Sequence, residues 1–145
     1  MPFRGIYMKS FRKVITFTSD ETEQVFNITH ECGRALSESG IREGLALIFP
    51  LHTSSCVFIS DSDRGVSEDY REVLARLIPP GAGYRHDEVD HKKNAHGHLR
   101  AVITGHHVTC PVTDGEFDFG TFHTIYYLEL DGKRPKEVLV KIIGE

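Results

Sequence analysis

One continuous apolar stretch, Gly44-Leu45-Ala46-Leu47-Ile48-Phe49-Pro50, limits the architecture more than any other part of the chain. It is too short for an independent helix and is bounded by Gly and Pro, so it reads as a buried strand. Ser54 to Ser60 forms a second strand, which places His52 and Thr53 where two central strands meet. Helical spacing is strongest in Tyr70, Val73, Leu74, Leu77 and Ile78. Ser67 is the expected N-cap of that helix, Glu68 and Asp69 suit its positive end, and Pro79-Pro80 stops it.

The remaining elements fall around this centre. Ile6 to Thr18 reads as a half-exposed strand near a sheet edge, because Lys9, Arg12 and Lys13 interrupt its apolar residues. A short helix follows, with Thr29 as N-cap, Cys32, Ala35 and Leu36 on one face, and Gly40 as terminator. Residues 81 to 98 carry glycine, histidine and charge with no apolar period, the pattern of a long functional loop. Asn94 caps a short helix through Ile103, and Val108 to Val112 is a strand. Phe122 to Leu130 and Glu137 to Ile143 are expected to pair as a terminal hairpin around Asp131-Gly132. The order predicts a single α+β domain over residues 1–145, with two or three helices among the strands.

At 145 residues, 39% hydrophobic and 26% charged, the chain has the balance of a folded domain. Its net charge of -4 argues against a nucleic-acid partner, although Lys92-Lys93 and Lys133-Arg134 remain available for small anions. Apolar runs fall well short of the roughly 20 residues a membrane helix needs, and Met1-Pro2-Phe3-Arg4 opens no signal peptide, so a cytoplasmic protein with no membrane partner is expected. Cys32, Cys56 and Cys110 lack zinc or disulfide spacing and sit among apolar residues, as buried thiols do.

Chemistry concentrates in histidine. Six of the nine histidines, His86, His91, His96, His98, His106 and His107, lie within 22 residues that also hold Asp87, Glu88, Asp90 and Asn94. Imidazole with carboxylate suits a divalent metal or acid–base work near neutral pH. The bland alternative is a solvated loop. On a helix, His96 and His98 would diverge by roughly 200° and could not share an ion, so with Asn94-Ala95 reading as a helix start His98 is retained. His52 is the remaining candidate, against the plainer reading of a histidine hydrogen-bonded at a turn. Arg85, Lys92, Lys93 and Arg100 could clamp a phosphate. Thr121 and His123 flank Phe122 at the start of the terminal hairpin, and Glu129 interrupts its apolar strand as a further candidate, against the plainer reading of an outward-facing strand residue.

Several fragments in order now resemble one family. His52-Thr53-Ser54-Ser55, Tyr84-Arg85-His86-Asp87-Glu88, Asn94-Ala95-His96-Gly97-His98-Leu99-Arg100-Ala101, Gly120-Thr121-Phe122-His123, Glu129 and Asp131-Gly132-Lys133-Arg134-Pro135 look like the YjbQ-like family, whose members are described as secondary thiamine-phosphate synthases. The family usually carries Gly-Thr-Trp-Gln where this chain has Gly120-Thr121-Phe122-His123, and an Asn-Glu-Asn-like turn where it has Ser60-Asp61-Ser62. The resemblance implies an α+β fold with a substantial β-sandwich and a homotrimer formed through its sheets. It also implies a site in which His52, His86, Asp87 and His98 match the family pattern, with a divalent ion, zinc or magnesium, on His52, His86 and His98.

The implied activity is a weak thiamine-phosphate synthase reaction, joining a pyrimidine-methyl diphosphate to a thiazole phosphate with release of pyrophosphate. On that reading His52, His86 and His98 bind the ion or act as acid and base, and Asp87 orients them. Arg100, His107 and Thr121 hold the phosphorylated small molecule. The alternative is a non-catalytic trimeric module that binds a metal or an anion. A hydrolase is disfavoured, since GxSxG is missing from the sequence.

Overall fold

Alternation is most regular near the C-terminus, where every second residue from Lys136 to Gly144 is buried. That pattern makes Pro135–Gly144 (β8) a strand with one face on the core. The computed structural model describes residues 5 and 7–145. In it β8 lies antiparallel between Lys9–Thr18 (β1) and Gly44–Pro50 (β3), and Val108–Thr113 (β5) and Glu116–Phe117 (β6) extend the sheet in the order β1-β8-β3-β5-β6. A second, smaller sheet has the order β2-β7-β4, built from Gln24–Asn27 (β2), Thr124–Glu129 (β7) and Ser55–Ser60 (β4).

The sheets face each other across the main core. Ala46, Ile48, Val138, Val140 and Ile142 meet Val57, Ile125 and Tyr127, and Phe17 packs edge-on against Tyr127 with ring centroids 4.7 Å apart. Thr29–Ser39 (α1) adds Cys32, Ala35 and Leu36 to this core. The other face of the small sheet is covered by Arg64–Leu77 (α2) and Ala95–Thr104 (α4), where Leu74 and Ala101 join Cys56, Leu128 and Leu130. The α+β sandwich is therefore as expected. Burial pushes the Cys32 and Cys110 thiols up to about 12 and that of Cys56 to about 11, so all three remain protonated packing groups. No helix among the described residues is long and apolar enough to cross a membrane.

Local departures have identifiable causes. β1 starts at Lys9, and Ile6 lies outside the described residues. Thr29 is the first helical residue of α1 rather than its cap, because its Oγ1 accepts from the Ile125 N–H at 2.9 Å. α2 begins at Arg64 because Asp63 caps it, its Oδ1 accepting from the Gly65 N–H at 3.0 Å, while Ser67 donates to the Arg64 carbonyl inside the helix. β3 buries only one face within a single chain, leaving Leu45 57% exposed. The long loop contains one short helix, His86–Val89 (α3).

The largest correction concerns the terminal hairpin. β7 and β8 do not pair: β7 is flanked by β2 and β4, so its ladder is full on both sides and the chain must cross to the other sheet. Gly132 is required in that crossing, since a Cβ there would collide with Ser19 Oγ and the Glu21 carbonyl. The crossing is built on a buried ion pair. Glu129, whose plainer reading is an outward-facing strand residue, is instead 0% exposed, as is Lys136, and Lys136 Nζ donates to Glu129 Oε1 at 3.0 Å and to the Asp131 carbonyl at 3.1 Å. Glu129 Oε1 also accepts from the N–H groups of Leu130 and Asp131, and Oε2 accepts from the Tyr127 hydroxyl.

Removing one partner strands the other charge in the core. Lys136→Met is expected to lower the unfolding free energy by about 3–5 kcal/mol in urea titrations, and adding Glu129→Gln to recover part of it. An unchanged midpoint for the single variant would contradict this role.

Candidate functional site

The connection from β3 to β4 is a hub of histidine contacts. His52 Nε2 accepts from the Glu137 N–H at 3.0 Å. Its carbonyl accepts from His106 Nε2 at 3.2 Å and from Ser55 Oγ at 3.3 Å. The next carbonyl, that of Thr53, accepts from His98 Nδ1 at 3.1 Å. A backbone N–H only donates and a carbonyl only accepts, so these contacts assign the protons: neutral His52 and neutral His98 both carry theirs on Nδ1. His98 Nε2 is left with a free lone pair. Burial, and then the Lys136 ammonium, hold the His52 pKa below its ordinary 6.5.

α3 and the start of α4 supply the second half. His86 Nε2 lies 3.2 Å from Asn94 Oδ1 and 3.1 Å from Asp90 Oδ2. Asn94 Nδ2 donates to Asp131 Oδ2 at 3.0 Å, which turns Oδ1 toward His86 and places the His86 proton on Nε2. Arg134 grips the same Asp131 oxygen at 2.6 Å. The His86 and His98 rings stand 5.0 Å apart, edge to face at 90°. Each therefore has one nitrogen tied to an acceptor, leaving His86 Nδ1 and His98 Nε2 for chemistry.

Two hollows share His98 and Thr53 in their lining. One, of about 420 Å³, is polar and is lined by His52, Asp90, Lys92, Asn94, Asp131 and Arg134. The other, of about 540 Å³, is mostly apolar and is lined by Tyr84, Arg85, His86, Ala95, Leu99 and Val102. The pair can take a molecule with an organic body and a charged end.

The structure thus gathers His52, His86 and His98 into one region. As helix geometry requires, His96 turns away, its Nε2 3.9 Å from Glu23. Asp87 touches neither ring by hydrogen bond: its Oδ1 accepts from the Ala95 N–H at 3.0 Å and closes the start of α4. Arg100 is 1% exposed and spends its guanidinium on Glu23 at 2.5 Å and on the Ile78 carbonyl, so it cannot clamp a phosphate here. His107 packs on Phe49 and does not line either hollow. Thr121 lies beyond the Thr124 end of β7, about 17 Å of strand from its Glu129 end near the site.

The implied divalent centre does not fit this arrangement. Magnesium prefers oxygen ligands, and a three-histidine zinc centre needs three free nitrogens, whereas the His52 Nε2 lone pair is held by a backbone N–H. Among the described residues, no three His, Cys, Asp or Glu side chains group to hold an ion. The sequence singles out none of Asn94, Asp131, Arg134 and His106 individually: Asn94 stands as a helix cap within the histidine-rich stretch, His106 as a member of that stretch, Asp131 as a hairpin turn, and Lys133-Arg134 as a basic pair available for small anions.

His52 and His96 both have pKa values lowered from 6.5, the latter by burial and then by Arg100. The unfolded chain therefore takes up these protons at higher pH than the folded one. Stability is expected to fall as pH drops from about 7 to about 5, and replacing both residues by Gln to flatten that part of the urea-midpoint profile. A wild-type profile flat across this window would contradict the assignment.

The family model described as UPF0047 protein YjbQ-like matches residues 13–145. A UPF0047 protein of Methanothermobacter thermautotrophicus is 32% identical over 141 residues, covering 97% of each chain. A UPF0047 protein of Archaeoglobus fulgidus is 35% identical, covering 89% of this chain and 98% of its own. Among solved structures, a YbjQ-like protein of Sulfolobus solfataricus P2 superposes with a TM-score of 0.91 at 30% identity, covering 96% of this chain and 100% of that one. A protein of Aeropyrum pernix K1 gives 0.87 at 30% identity, covering 92% and 98%. Matched in sequence and in fold over nearly its whole length, the chain belongs to the YjbQ-like UPF0047 family.

Proposed function

We propose that the two hollows beside His98 bind a phosphorylated small molecule in the cytoplasm and that His98 and His86 face it, one of them protonated to donate to the leaving phosphate oxygen. The observation that carries this reading is the position of His98, which lines both hollows and has its Nδ1 proton fixed by the Thr53 carbonyl. The anionic end lies toward Lys92 and Arg134, and the organic body rests on Leu99, Val102 and Tyr84.

The reaction proposed is of the thiamine-phosphate synthase type. The thiazole nitrogen forms a bond to the pyrimidine methylene carbon while the bond from that carbon to the diphosphate oxygen breaks, and pyrophosphate leaves with the electron pair. Lys92, Arg134 and a protonated histidine would stabilise the charge gathering on the leaving group more than the ground state. Arg134 replaces Arg100 in this role, because Arg100 is committed to Glu23.

We also propose a homotrimer formed through the larger sheet. Leu45 pairs with Ile143 and Phe49 with Leu139, and Leu47, paired with Lys141, lies between them on the same outer face. Leu45 and Ile143 are 57% and 47% exposed within one chain, an apolar surface suited to a second copy. The same trimer supports the second reading, a non-catalytic anion-binding module.

Calorimetric titration with thiazole phosphate, product assay with both thiamine precursors and light scattering test these proposals together. Arg134→Ala is expected to weaken binding about tenfold, one charge-assisted contact's worth, and His98→Ala to abolish product. Binding without turnover would favour the second reading, and no binding would overturn both. Leu45→Lys with Leu139→Glu is expected to give a monomer, and an unaltered mass would overturn the proposed interface.

A further inference from the structure

α4 ends with more hydrogen bonds than a helix terminus requires. The Gly105 N–H reaches the carbonyls of Ala101 and Val102, both at 3.2 Å, and the His106 N–H reaches the Ala101 carbonyl at 3.1 Å. With Gly105 at φ 105, that already terminates the helix. Yet His106 also takes a positive φ, 60, and the His107 N–H donates to the Gly105 carbonyl at 2.7 Å. This is a three-residue turn with positive φ at its centre, the rare and strained kind of γ-turn, occupied by a residue with a Cβ.

Such strain persists only where the surroundings hold it, and here three contacts do. The His106 carbonyl accepts from the Val57 N–H of β4 at 2.8 Å. Its ring meets Phe49 edge-on, with centroids 4.8 Å apart. Its Nε2 donates to the His52 carbonyl at 3.2 Å. Because the neighbouring Thr53 carbonyl takes the Nδ1 proton of His98, two consecutive carbonyls of one turn hold histidines from near the two ends of α4.

We propose that His106 is a positioning residue: by holding the His52 carbonyl it fixes the peptide unit whose next carbonyl sets the tautomer of His98. The proposal rests on the reading of His98 as the central group of the site, and it deepens that reading by naming what aims the ring. Glycine at this position would relieve the backbone but supply no donor. Phenylalanine would keep the packing on Phe49 and lose the donor, and glutamine would restore a donor.

Long-range nitrogen–proton spectra of the full-length, nitrogen-15-labelled protein read each ring's tautomer directly, without any ligand. In the wild type, His52 and His98 are expected with protons on Nδ1 and His106 with its proton on Nε2. His106→Phe is expected to shift His98 toward the Nε2-protonated form and to weaken thiazole phosphate binding about threefold to tenfold, the loss of one hydrogen bond's influence. His106→Gln is expected to restore both. Should the Phe variant fail to fold, His106→Asn, which tolerates positive φ but is too short to reach His52, takes its place. Wild-type His52 and His98 ring signals in the folded donor-less variant would overturn the proposal. A shifted His98 tautomer in a protein whose wild type binds no thiazole phosphate would sink the functional reading and leave the positioning role standing.

Discussion

The buried ion pair between Glu129 and Lys136 joins the two sheets at the point where the chain crosses between them. A carboxylate and an ammonium without exposure are tolerable only if their remaining hydrogen-bonding capacity is filled. Here the Tyr127 hydroxyl, the N–H groups of Leu130 and Asp131 and the Asp131 carbonyl fill it. This satisfaction dictates the path from Leu130 to Pro135. That path presents Asp131 to Asn94 and Arg134 to the polar hollow, and it starts β8 where the Glu137 N–H meets His52.

From this base the site is assembled by backbone groups more than by side-chain pairs. Two consecutive carbonyls and one strand N–H decide which nitrogen carries the proton in His52, His98 and His106, while the Asn94 side chain decides it in His86. The result divides labour among residues that look alike in sequence. His52 and His106 hold the turn, while His86 and His98, their rings 5.0 Å apart, each keep one nitrogen free. Clustering in sequence is therefore a poor guide to shared function: His96 lies two residues from His98 and belongs to a different contact network with Glu23.

Local patterns carried much of the fold. The bounded apolar run of β3, the Gly40 terminator of α1 and the helical course of α4 were all legible, because each depends on residues close in sequence. What could not be read depends on long-range pairing. The expected hairpin fails because β7 finds β2 and β4, and Glu129 is buried because a lysine seven residues away is delivered across the sandwich. β3 reads as a buried strand, yet a single chain covers only one of its faces, which leaves the outer one for a second copy in the proposed trimer. For the site, residue types pointed to the histidine-rich stretch, His98 and His52, and the family resemblance added His86, but Arg100 was misassigned because its partner Glu23 lies 77 positions away.

A crystal structure of the protein soaked with thiazole phosphate examines the central claim most directly. Phosphate density is expected beside Lys92 and Arg134, the organic ring against Leu99 and Val102, and His98 Nε2 directed at the ligand while His52 Nε2 stays on the Glu137 N–H. Density for an ion bound by His52, His86 and His98 nitrogens at about 2.0–2.1 Å, or a ligand seated away from both hollows, would contradict it.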